Sequence, residues 1–176
     1  MRLSTPLAAM LVTASVHGQY LADNGKPYPA EDFYKAGEKA HRAGDHSMAI
    51  AAYTQAIALA PAHVNAHLHR GFCHSILKQY AEAVADFTTV IGEKPEHPQA
   101  YLSRGSALAK LGRHAEAIAD FDRVIAIDAR NGEAYNNRGW SRKATGDQDG
   151  ACKDWKASKR AGNAEARIIL ENNRCK

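Results

Sequence analysis

The sequence is poor in several things at once, and each shortage narrows what the chain can be. Only 7% of its 176 residues are aromatic. With alanine abundant, that composition suits closely packed helices better than a sheet of branched and ring-bearing side chains. Charge of one sign is also scarce: the formal net charge is +4 and basic residues form no long run, so nucleic acid is not an expected partner. The chain has no Gly-rich phosphate loop, no nucleophile elbow and no zinc-protease helix motif, and its carboxylates fall mostly on solvated faces. No enzymatic activity and no cofactor are therefore expected. The longest mostly apolar stretch, Leu7 to Val16, is far too short to cross a bilayer. At 45% hydrophobic and 24% charged, the chain sits within the range of a single folded domain and shows no sign of disorder.

What is present begins with a leader-like segment. Arg2 precedes the apolar stretch and small or polar residues follow it, a pattern that resembles an export signal, residues 1–18, cut after Gly18. No cysteine lies near that point, so no lipid anchor is expected. The mature protein is read as periplasmic or secreted, without membrane insertion. Residues 19–30, with Asn24-Gly25, Pro27 and Pro29, form an expected irregular lead-in.

Internal repetition then dominates. Gly37, Gly71, Gly105 and Gly139 recur every 34 residues, as do Ala49, Ala83, Ala117 and Ala151, and the aromatics Tyr53, Phe87, Phe121 and Trp155. Three further glycines in phase would arise by chance only about three times in ten thousand. Phe33, His67, Tyr101 and Tyr135 make another column, and Pro61 and Pro95 close the first two frames. These residues at this spacing resemble the tetratricopeptide repeat over roughly residues 30 to 163. The resemblance implies an all-α fold, a right-handed α-α superhelix: a domain over 31–176 with repeats near 30–63, 64–97, 98–131 and 132–163, closed by a capping helix at 164–173.

The columns have physical reasons. Each repeat glycine is expected to face the alanine of its own frame across the hairpin, with the aromatics filling the wider spaces. Helices are expected near 31–43, 47–60, 64–77, 81–93, 98–111, 115–128, 132–144 and 148–161. A last one, capped by Asn163, should run from 164 to 172 and cover the apolar end of the stack with Ala166, Ile169 and Leu170. Gly44, Gly112 and Gly146 suit left-handed caps, whereas Lys78 takes that place in the second frame and should strain or reshape its turn.

Charges follow the same register. Arg70, Arg104 and Arg138 precede the repeat glycines, and Asp86, Asp120 and Asp154 precede the repeat aromatics, while the first frame has Ala36 and Ala52 at both places. Present together or absent together, they are expected to pair within each hairpin and not to form an anion-binding row. Of the three cysteines, Cys152 and Cys175 are the candidates for a disulfide in an exported protein. A short terminal hairpin can bring them together, and Gly150-Ala-Cys-Lys-Asp-Trp155 with the final Arg-Cys resembles the closing unit of exported tetratricopeptide proteins. Cys73 is read as a small core residue.

Two candidate sites remain. His63, His67 and His74 share a helix face and suggest metal binding, although His67 and His74 also fall on packing rows and His63 can serve as a cap. No metal site is assigned on this ground. The resemblance implies that the first helix of each hairpin lines a concave groove. Helical spacing then turns inward Tyr34, Glu38 and Arg42; Leu68, Phe72 and Ile76; Leu102, Ser106 and Lys110; and Asn136, Trp140 and Lys143, with His69 and Asn137 at the edge. An apolar strip rimmed by polar groups is expected to bind an extended peptide or amphipathic helix of another protein. A metal-binding protein and a structural homo-oligomer are the alternatives. Family members that grip the charged C-terminus of chaperones use lysine, asparagine and arginine there; Tyr34, Glu38, Leu68, His69 and Ser103 stand in the comparable region, so that ligand does not carry over.

Overall fold

The computed structural model describes residues 29–175, and among them the chain forms nine α-helices and no strand. The expected export signal, 1–18, and nearly all of the lead-in lie outside the described residues. In chain order the helices are α1 (Ala30–Arg42), α2 (His46–Leu59), α3 (Val64–Ile76), α4 (Tyr80–Glu93), α5 (Pro98–Lys110), α6 (His114–Ile127), α7 (Gly132–Ala144), α8 (Gln148–Arg160) and α9 (Ala166–Asn172). Each odd helix up to α7 packs on the next as a hairpin, hairpins stack in sequence, and α9 closes against α8. The result is the expected all-α helical-repeat superhelix. Only α9 begins later than expected: Asn163 accepts from the Glu165 amide at 3.0 Å in the turn before the helix, and does not cap its first residue.

The repeat glycines do a different job from the one expected. A methyl group on Gly37 would stand 2.5 Å from the Tyr53 ring, one on Gly71 2.8 Å from Phe87, one on Gly105 2.8 Å from Phe121, and one on Gly139 2.6 Å from Trp155. Each glycine therefore faces the aromatic sixteen positions on, not the alanine of its frame. The missing Cβ admits a ring edge against the helix backbone. The rings seated there, Tyr53, Phe87, Phe121 and Trp155, are fully buried, and each such burial is worth roughly 2 to 3 kcal/mol.

The expected arginine–aspartate pairs occur in the same register. Nε and Nη2 of Arg70 donate to Asp86 at 2.9 and 2.7 Å; Arg104 does the same to Asp120 at 2.9 and 2.7 Å, and Arg138 to Asp154 at 2.9 and 2.6 Å. These forked, charge-assisted bonds compensate carboxylates that are almost fully buried. The third arginine branch reaches back to the preceding hairpin, where Nη1 of Arg70 and Arg104 donates to Thr54 and Thr88 at 3.0 and 3.1 Å, and Nη1 of Arg138 to Asp122. Thus one side chain fastens its own hairpin and the joint behind it. The guanidinium groups of Arg104 and Arg138 also lie over the rings of Tyr101 and Tyr135, 5.7 and 5.4 Å from the centroids.

The turns complete the register. His63, His97 and Asn131, one per repeat, accept from the backbone amides of Ala66, Ala100 and Ala134 and so cap α3, α5 and α7. Lys78 adopts φ +60° where Gly44, Gly112 and Gly146 stand at +80°, +75° and +89°. Its turn keeps the family shape, with the Gln79 amide donating to the His74 carbonyl as Asp45 does to Ala40, so the substitution is absorbed as strain of about 1 kcal/mol. At the C-terminus the sulfurs of Cys152 and Cys175 stand at disulfide distance, with Cα atoms 5.4 Å apart.

Removing Arg104 strands Asp120, whose side chain is 6% exposed, whereas removing Asp120 strands an arginine that retains 20% exposure. Arg104→Leu should therefore lose about 3 kcal/mol, Asp120→Leu less, and the double replacement less than either single change. Thermal melts of the three variants check the order.

Candidate functional site

The first helices of neighbouring hairpins also touch one another directly, α1 with α3, α3 with α5 and α5 with α7. Crowding of that row sets it on the inner side of the stack. Two of the side chains expected to face a groove do not. Leu68 and Leu102, 9% and 5% exposed, are buried between helices: Leu68 packs with Phe87, Val90 and Ala100, and Leu102 with Phe121, Val124 and Ala134. The spacing that puts them on the face of Phe72 ignores the adjacent repeat, which covers them. Phe72 is half-buried, Ile76 and Trp140 are 52% and 43% exposed, and Arg42, Lys110 and Lys143 are exposed.

The remaining residues fall into three groups. In the first, the Tyr34 hydroxyl donates to Glu38 at 3.2 Å, and the Tyr34 ring meets His63 and His69 at 4.9 and 5.8 Å between centroids. His69 continues the chain of rings to Phe72 at 6.1 Å. Burial, followed by the charge and hydrogen bond of Glu38, pushes the Tyr34 hydroxyl up to about 12, and burial lowers His69. In the second, Phe72, Tyr80, Leu102, Ser106, Lys110 and Glu133 line a cavity of about 280 Å³ between the second and third repeats. Buried Leu102 thus still contributes to its wall. Asn137 donates to Ser106 at 3.4 Å beside it, and the Asn136 side-chain oxygen is buried without a hydrogen-bond partner. In the third, Trp140 packs on Trp155 at 5.0 Å, and Lys143 bonds Asn173 with its ammonium 5.4 Å from the Trp140 centroid.

The histidines grouped by spacing are each held by other partners, and His67 and His74 both approach the Asp86 carboxylate, at 2.9 and 3.9 Å. His63 caps α3 through Nδ1. His67 spends one ring nitrogen on Asp86 at 2.9 Å and the other on the Pro61 carbonyl at 3.0 Å, occupying the seat that Tyr101 and Tyr135 fill elsewhere. His74 bonds Gln79 at 2.7 Å. Instead, His41, His46 and Cys73 bring one donor atom each within 4.8 Å of the others. Cys73 is fully buried, its thiol is pushed up to about 11 by burial, and it stands 3.1 Å from His41 Nδ1. Nothing in sequence spacing joins these three, because they span a turn and two repeats.

An α-solenoid of hairpins with a partly apolar inner face is a class of protein built for contact along its length. Models of the tetratricopeptide repeat match residues 33–63 and 77–134. The chain belongs to the tetratricopeptide repeat family. Among solved structures, a crystal structure of MamA superposes with a TM-score of 0.73 at 21% identity, over 78% of this chain and 81% of that one. The tetratricopeptide domain of Arabidopsis OM64 gives 0.62 at 28% identity, over 65% and 94%. The first such domain of Spaghetti (RPAP3), bound to the HSP90 peptide SRMEEVD, gives 0.61 at 26%, over 66% and 95%. No curated protein matches the chain in sequence.

A phenol whose folded pKa is raised from 10.0 to about 12 holds the fold fully below pH 10, and that contribution drains away as pH climbs toward 12. Urea midpoints across this window should fall less steeply for Tyr34→Phe than for the unaltered chain. Tyr53 shifts in the same direction by burial, so the variant should keep part of the slope.

Proposed function

We propose that the chain is a non-catalytic interaction module whose inner face receives an extended peptide or an amphipathic helix from another protein. One observation carries this reading: Ile76 and Trp140, large apolar side chains on the first helices of the second and fourth repeats, are left 52% and 43% exposed, with the Phe72 cavity between the second and third repeats. Apolar anchors beside a recess are the usual energetic centre of such a surface. Asn137, Lys110, Lys143 and Arg42 frame them and would fix the ligand's direction. The relative bound to an HSP90 peptide supports peptide binding by this fold. The acidic sequence of that peptide is not carried over, because Glu38 would repel it and Leu68 is buried.

Selection from a displayed random-peptide library, followed by calorimetric titration, tests the reading. Selected peptides should bind the unaltered chain and lose at least tenfold in affinity to Phe72→Ala, Trp140→Ala, with circular dichroism showing that the variant is still folded at the temperature of the titration. Equal binding by both chains would contradict it. A stable dimer in light scattering with Trp140 protected would favour a second copy as the occupant.

The reading extends to location: the leader-like residues 1–18 and the closely placed Cys152 and Cys175 support an exported protein with a terminal disulfide. Closing a separation of 23 residues contributes about 3 kcal/mol in the chain-entropy estimate. Unfolded, non-reduced protein from the exported fraction should expose one thiol, that of Cys73. Three reactive thiols would contradict the bridge.

A further inference from the structure

We propose that His41, His46 and Cys73 form a binding site for a thiophilic divalent cation, Zn²⁺, at the joint between the first and second repeats. His41 lies in the last turn of α1, His46 opens α2 just beyond, and Cys73 comes across from α3. One ring nitrogen of each histidine and the cysteine sulfur lie within 4.8 Å of one another. His41 Nδ1 is already 3.1 Å from the sulfur, and the two imidazole rings stand 5.2 Å apart.

Ordinary packing explains part of this arrangement. A thiol donating to His41 Nδ1 satisfies two of the three groups. It leaves His46 Nδ1 buried without a hydrogen-bond partner, and what marks this joint is that the orphan lies among two further converging donors. The repeat provides an internal comparison. At the next joint the equivalent positions hold Ser75, Tyr80 and Ala107, and at the one after Ala109, His114 and Ser141. His114 Nδ1 is buried and unpartnered like His46, but it faces neither a second imidazole nor a thiol. The architecture therefore needs no two-histidine, one-cysteine set, and only the first joint assembles one.

The donor chemistry selects the ion. Two imidazoles and a thiolate are borderline-to-soft ligands, unsuited to magnesium or calcium, which take oxygen. Zn²⁺ accepts three protein donors at roughly 2.0 to 2.3 Å and a water in the fourth place, which sets neighbouring donors roughly 3.3 to 3.8 Å apart. Closing from 4.8 Å requires a shift of about an ångström, which rotation of the partly exposed His41 and His46 about the turn between them can supply. The ion displaces the Cys73 thiol proton, which leaves to solvent. Once bound, it ties the tip of the first hairpin to the second repeat, beside the His69 ring, whose centroid is 6.4 Å from that of His41.

The test uses the full chain, stripped with chelator and kept non-reduced so that only Cys73 can offer a thiolate. Equilibrium dialysis should find one Zn²⁺ per chain, and Co²⁺ in its place should give the near-ultraviolet absorption of a cobalt–thiolate bond. At a hundredfold excess over Kd the melting temperature should rise by about 5 to 10 °C. His46→Gln should weaken binding at least tenfold, Cys73→Ala should abolish the thiolate band, and His114→Gln should change neither. The unaltered chain decides the matter even if a variant fails to fold: absence of the cobalt–thiolate band overturns the proposal. So does zinc binding that survives both His46→Gln and Cys73→Ala, which would mark adventitious capture by other histidines.

Discussion

Everything in this molecule rests on a ring pressed against a helix that has no side chain at the point of contact. Four times, at Gly37, Gly71, Gly105 and Gly139, the missing Cβ makes room for an aromatic edge that a methyl group would exclude. The seat sets the register of each hairpin, and in the second, third and fourth the arginine–aspartate fork one residue earlier on both helices locks it. Apolar contact supplies the energy and the charge pair supplies the alignment, since a fork that slipped would strand a buried carboxylate. The arginine's remaining branch then couples one hairpin to the last. Regular joints of this kind turn four local hairpins into one continuous surface.

Much of this was legible in the residues. A period of 34 carried by glycine, alanine and aromatics implied the helices and their boundaries, and the paired presence of arginine and aspartate implied their partnership. What periodicity hides is the partner within a frame. Gly105 has Ala117 and Phe121 both in phase with it, and only the hairpin geometry reveals that Phe121 is the residue it faces. The capping column His63, His97 and Asn131 was equally periodic, but its changing residue types conceal a shared role as acceptor.

The candidate surface was less legible, for a related reason. A helical wheel places Leu68, Phe72 and Ile76 on one face, yet exposure rises along it from buried to half-buried to open as the next repeat recedes. One helix alone does not contain that gradient. Histidines obey the same limit: His63, His67 and His74 line up in spacing but are claimed by a cap, a carboxylate and a glutamine, while His41, His46 and Cys73 meet only because two repeats stack. Stacking decides both which side chains of the first helices stay exposed and which donors meet, so neither feature is contained in a single helix.

The most direct measurement is a double-mutant cycle on the seat itself, combining Gly105→Ala with Phe121→Leu and reading stability by urea unfolding. If the ring occupies the place of the missing methyl, shrinking it should absorb the added group, and the double variant should be more stable than the sum of the single losses by at least about 1 kcal/mol. Strict additivity of the two losses would contradict that the glycine column exists to admit the rings.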